Sequence, residues 1–270
     1  MTKNEHLALL QWYVDAGVDE AAENQPVNRL RPPPATSLAA PTLPTITREP
    51  ARVNAMPRPA SPQTHASPNA AIDEARALAD AATTLSALRQ AVLDFDGCAL
   101  KKTATNTVFA DGDPQSGLML IGEAPGADED KNGIPFCGIS GKLLDQMFAA
   151  IGYPRGRFYV TNTLFWRPPG NRPPTPEELA ICLPFLEKHI ALVKPKRVVL
   201  IGGTAAKSMI DEKSPVTKLR GRDFPYTNRY MSGHSIPVRV TFHPSYLLRQ
   251  SAQKKEAWTD LQVIKYLLLE

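Results

Sequence analysis

The segment Leu118-Met-Leu-Ile-Gly-Glu-Ala-Pro-Gly126 carries the clearest indication of the architecture of this chain. Its apolar half ends abruptly at a glycine and an acid, as a buried strand does where it reaches a polar edge. The apolar run recurs three more times, and the four predicted strands are residues 118–121, 158–160, 198–201 and 238–242. Each strand is followed by polar or glycine residues, namely Gly122-Glu123, Thr161-Asn162, Gly202-Gly203 and His243-Pro244.

Predicted helices alternate with these strands, over residues 140–150, 176–193, 204–210 and 254–269. The alternation predicts a parallel sheet with helices on both faces. We therefore predict an α/β fold, a three-layer α/β/α arrangement around a central, mostly parallel four-stranded sheet. In such sheets ligands bind beyond the carboxyl ends of the strands. Glu123, Asn162 and His243 should converge there from three different strands, and they mark a candidate site.

Proline divides the chain into three parts. Ten of the 26 prolines lie within residues 31–68, in a stretch that is otherwise rich in Ala, Thr and Ser. Such a segment cannot offset its ordering entropy by burial, so we predict a disordered linker over residues 31–69. Apolar residues at helical spacing follow it and predict one amphipathic helix that opens a catalytic domain over residues 70–270; the spaced residues are Ile72, Ala75, Leu78, Ala82, Leu85, Leu88 and Val92.

Residues 1–30 contain a short amphipathic helix, predicted over residues 6–18. Its apolar residues are Leu7, Leu10, Trp12, Tyr13 and Val14. Two interpretations stay open for this helix. It either folds back on the main domain as an anchor or docks on a partner protein.

The composition predicts a soluble, cytoplasmic protein. No apolar run approaches the ~18 residues that a membrane span needs, and the first residues lack the basic and apolar regions of a secretion signal. Three cysteines cannot build a disulfide framework, which fits a reducing compartment. Residues 1–70 carry no net charge, so the rest of the chain holds the whole +4. That surplus is compatible with a polyanionic partner and does not require one.

Two glycine-containing turns have competing interpretations. The loop over residues 122–130 carries four acids, and its glycines allow a tight turn close to a ligand. The same acids also suit an ordinary helix N-terminus. The segment over residues 199–208 resembles a phosphate loop, but Ala206 stands where that motif needs glycine before the lysine. We interpret it as a structural strand-turn-helix.

The heptapeptide His243-Pro-Ser-Tyr-Leu-Leu-Arg249 begins at a strand end and closes with two large apolar residues and an arginine. An apolar tip beside a cation is suited to wedging into a stack of bases while holding a phosphate.

Six ordered motifs resemble those of the family 4 uracil-DNA glycosylases. They are Gly122-Glu-Ala-Pro-Gly126, Asp128-Glu-Asp130, Pro135-Phe136, Thr161-Asn162, Arg167-Pro-Pro-Gly-Asn-Arg172 and the heptapeptide beginning at His243. The resemblance extends from about residue 85 to the C-terminus. It implies a DNA-repair enzyme that flips uracil out of DNA and hydrolyses the N-glycosidic bond, leaving an abasic site. The implied partner is uracil-containing DNA, on which we expect a monomer that associates with the nucleoid.

The resemblance also implies the role of each site residue. Phe136 would stack on the flipped base, and the Asn162 amide would read its O4 and N3 edge. The implied uracil-binding residues are Ala124, Gly126, Phe136 and Asn162. The implied catalytic residues are His243, which would stabilise the developing charge at O2, and the acids Glu123, Asp128 and Glu129, which would orient water. The implied DNA-binding residues are Ser245, Leu247, Leu248 and Arg249: Leu247 or Leu248 would fill the vacated place in the base stack, and Ser245 and Arg249 would hold phosphates.

One departure from the family concerns its iron–sulfur cluster. The usual pattern places four cysteines at positions that here hold Phe95, Cys98, Trp166 and Cys182. A cluster of this kind needs four ligands, and Cys137 lies far from these positions in the sequence. We predict that the protein uses no metal and no cofactor. Two other functions stay open: a DNA-binding repair scaffold with little or no activity, and a glycosylase for another deaminated base such as hypoxanthine.

Overall fold

The computed structural model of the protein describes residues 68–210 and 214–269. Its strands are β1 (Asp111–Gly112), β2 (Leu118–Gly122), β3 (Tyr159–Asn162), β4 (Arg197–Ile201), β5 (Asp223–Tyr226) and β6 (Ile236–Thr241). Its α-helices are α1 (Pro68–Ala81), α2 (Leu85–Asp94), α3 (Ala127–Asn132), α4 (Ile139–Ala149), α5 (Pro176–Val193), α6 (Gly203–Ile210), α7 (Val216–Leu219), α8 (Pro244–Arg249) and α9 (Lys254–Leu267). The helix predicted over residues 6–18 and nearly all of the predicted linker lie outside the described residues.

The strands form one sheet in the order β1-β3-β2-β4-β6-β5. The four predicted strands are its parallel centre, β3-β2-β4-β6, which confirms the predicted α/β class. The predicted number of strands was wrong, because β1 and β5 add an antiparallel pairing at each edge. β1 is only two residues long, and β5 contains Pro225, a residue that sheets accept at their edges.

The side chains of β2 show how the sheet divides the core into layers. Leu118 and Leu120 pack in one apolar cluster with residues of α4 and α9. Met119 and Ile121 point the other way, into a cluster that includes residues of α5 and α6. A strand that is buried on both faces reads as an unbroken apolar run, which is why β2 could be recognised in the sequence.

The periodic segment that opens the domain is two helices rather than one. α1 ends at Ala81, and the Thr84 hydroxyl then caps α2 by accepting a hydrogen bond of 3.1 Å from the backbone N–H of Ala87. Apolar side chains of both helices share a third buried cluster with α5. Within the described part of the chain, none of the helices is long and apolar enough to cross a membrane.

Candidate active site

A cleft of about 490 Å³ opens at the carboxyl ends of the parallel strands. It brings Glu123, Asn162 and His243 together from the ends of β2, β3 and β6, as the alternating pattern of strands and helices predicted. The remaining lining residues are Ala124, Pro125, Gly126, Glu129, Phe136, Ser140, Pro168, Asn171, Arg172, Gly202, Gly203, Ser245, Tyr246 and Arg249. The cleft therefore combines carboxylates, an amide, an imidazole and an aromatic ring.

Asn162 is the last residue of β3 and is paired in register with Gly122 of β2. Its side chain is almost fully buried, with a relative exposure of 1%. Neither its Oδ1 nor its Nδ2 has a hydrogen-bond partner among the residues that the structure describes. A buried amide without partners is unfavourable unless a ligand supplies them. Asn162 thus presents one donor and one acceptor to whatever enters the cleft.

Phe136 forms an aromatic wall next to this amide. A Cβ atom added at Gly122 would collide both with the Phe136 ring and with the Asn162 amide oxygen, so all three groups meet at one point. The ring centroid of Phe136 lies 5.7 Å from that of His243. Only glycine at position 122 allows the ring and the amide to approach the strand this closely.

His243 caps the N-terminus of α8, and this contact fixes which ring nitrogen carries the proton. Its Nδ1 accepts a hydrogen bond of 3.2 Å from the backbone N–H of Ser245, with the Ser245 hydroxyl 2.8 Å away. A backbone N–H can only donate, so the proton of the neutral ring is on Nε2. Burial, reinforced by the positive charge of Arg249, lowers the pKa of His243 to about 4. His243 is therefore a neutral donor at physiological pH.

The end of β6 is held in place by a buried carboxylate. Thr241, two residues before His243, donates a hydrogen bond of 3.0 Å to Asp260 of α9. Arg220 pairs with the same carboxylate at 2.8 Å. This network ties the strand that carries His243 to α9 and fixes the point from which α8 begins.

The acids of the loop after β2 have different environments. The Glu129 carboxylate accepts backbone N–H bonds from Gly126 at 3.0 Å and from Gly138 at 2.9 Å, so both of its oxygens hold the loop together. Asp128 is exposed and does not line the cleft. Glu123 lines the cleft, and the Thr163 hydroxyl holds its backbone carbonyl at 2.6 Å. Of the three predicted acids, Glu123 is the one whose position suits contact with a bound water.

The two leucines of α8 differ in exposure, and this difference shows which of them is placed to contact DNA. Leu247 is 1% exposed and packs in the core with α4 and α9. Its predicted contact with DNA is therefore wrong, because a core side chain cannot reach a base stack. Leu248 is 46% exposed beside the exposed Arg249. The Ser245 hydroxyl lies 2.8 Å from His243 Nδ1, and its contact with a phosphate stays a prediction.

Several lining residues were missed as site residues. Gly202 and Gly203 belong to the turn that we interpreted as purely structural, yet both line the cleft. Gly202 has a positive φ of +100°, and a Cβ added there would lie 3.0 Å from the Cβ of His243. Pro168, Asn171 and Arg172 come from the Arg-Pro-Pro-Gly-Asn-Arg motif, which was a usable signal. Tyr246 lies within the heptapeptide that begins at His243, whereas Ser140 carried no local signal of its own.

Comparison with known proteins identifies the family. The profile of the uracil DNA glycosylase superfamily matches residues 109–262, more than half of the chain. The chain belongs to the uracil-DNA glycosylase superfamily. It is 35% identical to the type-4 uracil-DNA glycosylase of Pyrobaculum aerophilum, over 66% of this chain and 91% of that protein. For the type-4 enzyme of Thermotoga maritima the identity is 39%, over 58% of this chain and 79% of that protein. The predicted family is thereby confirmed.

The residues at the cluster positions of this family do not fit an iron–sulfur cluster. All four are buried in one apolar cluster, where the rings of Phe95 and Trp166 lie 6.3 Å apart. Trp166 Nε1–H donates to the Thr107 hydroxyl at 2.9 Å, so its indole is satisfied by protein. A hydrogen bond with Cys98, together with burial, raises the pKa of Cys182 well above its ordinary value. Only two of the four residues at these positions have a thiol, and a cluster of this kind needs four ligands.

We expect the purified protein to contain no stoichiometric iron and to show no visible absorption band of a cluster. Two buried aromatic rings stand at two of the four positions, and two cysteines supply only half of the ligands that a cluster needs. Iron analysis and a visible spectrum of protein purified without oxygen check this expectation. A content of about four irons per chain would contradict it.

Proposed function

We propose that this protein is a monofunctional DNA-repair glycosylase that excises uracil from DNA and leaves an abasic site. The observation that carries the proposal is the buried Asn162 amide, whose donor and acceptor both lack partners in the described structure. The superfamily membership and the names of the relatives support the same reaction.

The recognition step uses the edge of the flipped base. Uracil presents an acceptor at O4 and a donor at N3–H, which match the Asn162 Nδ2–H and Oδ1. Cytosine presents a donor at N4 and an acceptor at N3. The amide donor would therefore face a donor, and the amide oxygen would face an acceptor. Phe136 supports the base by stacking, and the small residues Ala124 and Gly126 leave room for it in the cleft. Extruding the base costs a few kcal/mol, which DNA contacts must offset.

The bond from C1′ to N1 then breaks, and its electron pair goes to the base. The sugar becomes cationic and the departing uracil becomes an anion with charge at O2. A neutral imidazole with its proton on Nε2 can donate to that oxygen without giving up the proton. His243 has this tautomer because Ser245 occupies Nδ1. Fixed donors aimed at developing charge are usually the largest contribution to catalysis.

Water completes the reaction at C1′. Its oxygen bonds to the sugar, and the Glu123 carboxylate accepts the proton that is released. The same negative charge favours the cationic sugar before water adds. Glu123 is suited to this role because it lines the cleft and because the Glu129 carboxylate beside it is already held by backbone N–H groups.

α8 supplies the contacts with DNA. Leu248 is exposed and apolar, so it fills the space that the extruded base leaves in the stack. Arg249 stands exposed at the rim of the cleft, where it can hold a phosphate. All of the residues in these roles come from one chain, and we propose that a single copy acts without a cofactor, on DNA in the nucleoid.

An excision assay tests the proposed function directly. A uracil-containing oligonucleotide treated with the protein and then with hot alkali should be cut at the uracil, while the matched cytosine oligonucleotide should stay intact. An uncut strand that the protein still binds would instead indicate a DNA-binding scaffold. Preferential cutting at hypoxanthine in the same assay would indicate a different deaminated base.

Replacing Arg249 with alanine should weaken DNA binding more than catalysis. Loss of one phosphate contact should raise Kd and reduce the slope of binding against salt concentration by about one. The single-turnover rate at saturating enzyme should fall much less, because Arg249 is not needed for bond cleavage. Lys207, on α6, is a suitable control, since it does not line the cleft and K207A should bind normally. An unchanged salt slope in R249A would contradict the phosphate contact.

A further inference from the structure

The backbone of Phe136 has an unusual conformation that Arg155 stabilises. Phe136 has a φ of +53°, in the left-handed region that non-glycine residues rarely adopt. Arg155 Nη2 donates to the carbonyl of Pro135 at 2.7 Å, and Nη1 donates to the carbonyl of Phe136 at 3.3 Å. One guanidinium therefore binds the carbonyl that precedes Phe136 and the carbonyl of Phe136 itself.

Arg155 is itself fixed by two carboxylates. Its Nε donates to Asp111 of β1 at 2.9 Å, and its Nη1 donates to Asp145 of α4 at 3.1 Å. The planar fork of arginine can make these four contacts at once, whereas the single ammonium of lysine cannot. Arg155 does not line the cleft, so it does not lie where a bound base would.

The contacts around Phe136 leave its carbonyl and its ring little freedom. A Cβ added at Gly141 of α4 would collide with the Phe136 carbonyl, and one added at Gly122 would collide with the ring. The peptide is thus packed against α4 on one side and clasped by Arg155. A change in its orientation would turn the ring relative to Asn162 and His243.

We propose that Arg155 is a positioning residue for base recognition, which holds the Phe136 peptide in its left-handed conformation so that the ring is presented correctly to flipped uracil. The inference rests on the proposed function, because it takes Phe136 to be the surface on which the base stacks. It adds a residue outside the cleft whose effect reaches substrate only through Phe136.

The test compares R155K with R157K. Arg157 lies in the same loop, donates to the Gly152 carbonyl and packs over Tyr153, so R157K is a matched substitution away from Phe136. R155K should lower the single-turnover excision rate by roughly 10- to 100-fold, since small misplacements of a reacting group have effects of this size. Free uracil should inhibit R155K less strongly by a similar factor. R157K should match the wild type in both, and both variants should remain folded at the assay temperature and keep the DNA affinity of the wild type.

A double-mutant cycle separates positioning from a merely structural role. In the Phe136→Ala background, R155K should cause no further loss of rate, because the ring that Arg155 positions is gone. An equal loss in both backgrounds, or R155K values like those of R157K, would overturn the inference. Absence of excision by the wild-type protein would instead count against the proposed function itself.

A second variant leaves Arg155 intact. G141A adds a methyl group that displaces the Phe136 carbonyl from the α4 side, in a helix where alanine is otherwise favourable. It should reproduce both the lower excision rate and the weaker inhibition by uracil. Wild-type behaviour of G141A would overturn the inference even if R155K were too unstable to study.

Discussion

Replacing His243 with alanine should lower the single-turnover rate of uracil excision by roughly 10²–10³-fold, which corresponds to about 2.7–4 kcal/mol of transition-state stabilisation. The variant loses a neutral donor that is already oriented by Ser245 and aimed into the cleft. Single-turnover kinetics at saturating enzyme measure the effect.

DNA binding should change much less in H243A, because affinity comes mainly from phosphate contacts. R249A should show the reverse profile, so the two variants make opposite predictions for one short helix. Excision by H243A at a rate near that of the wild type would remove His243 from the mechanism.

The pH dependence distinguishes a neutral donor from a protonated acid. Burial lowers the pKa of His243 to about 4, so the ring is neutral throughout the range from pH 6 to pH 8. A rate that is constant over that range fits donation by the neutral imidazole. A rate that fell steadily as pH rose would indicate that His243 acts in its protonated form.

The centre of the fold and the location of the site could be predicted from the sequence for one physical reason. Central parallel strands are buried on both faces, so each reads as an apolar run with a sharp polar end. Glu123, Asn162 and His243 each follow such a run, and parallel strands bring those ends to one edge. Neither the strands nor the edge at which they end has to be inferred from contacts between residues that are far apart in the sequence.

The features that the sequence did not reveal depend on tertiary contacts. β1 is too short to show an alternating pattern, and only pairing with β3 makes it a strand. Leu247 and Leu248 are chemically identical, and only the way α8 packs on α4 decides which one is exposed. Arg155 stands in an ordinary polar loop, and its partners come from β1, α4 and the Phe136 loop.

The cluster positions show a different relation between sequence and structure. The resemblance to the family implied the four positions, and the structure places Phe95, Cys98, Trp166 and Cys182 in one buried cluster. Phe95 also packs edge-on against Phe185 of α5, with ring centroids 5.2 Å apart. Aromatic packing can thus link the same segments that a metal cluster would link, without placing any charge in the core.

Replacing Asn162 with aspartate should change which base the enzyme accepts. We expect the wild-type amide to reject cytosine, because its Nδ2–H would face the cytosine N4 amino group and its Oδ1 would face the N3 lone pair. A buried carboxyl group tends to be protonated, because burial disfavours the charged form. In N162D the protonated carboxyl group can accept from the N4 amino group and donate to N3, which is the pattern that cytosine needs.

The ratio of uracil to cytosine excision should therefore fall by about 10⁴-fold in N162D, since sites that hydrogen-bond a buried polar edge discriminate by 10⁴–10⁵. The change should come mainly from gained cytosine excision, because a protonated carboxyl group can carry its proton on either oxygen and can therefore pair with uracil as well as with cytosine. Single-turnover assays on matched strands with uracil or cytosine opposite an abasic site would measure the ratio while making both bases equally easy to extrude. N162A is the control, and it should lose uracil excision without gaining cytosine excision. An unchanged ratio in N162D would show that the buried amide does not read the base, and the recognition step proposed for this cleft would be wrong.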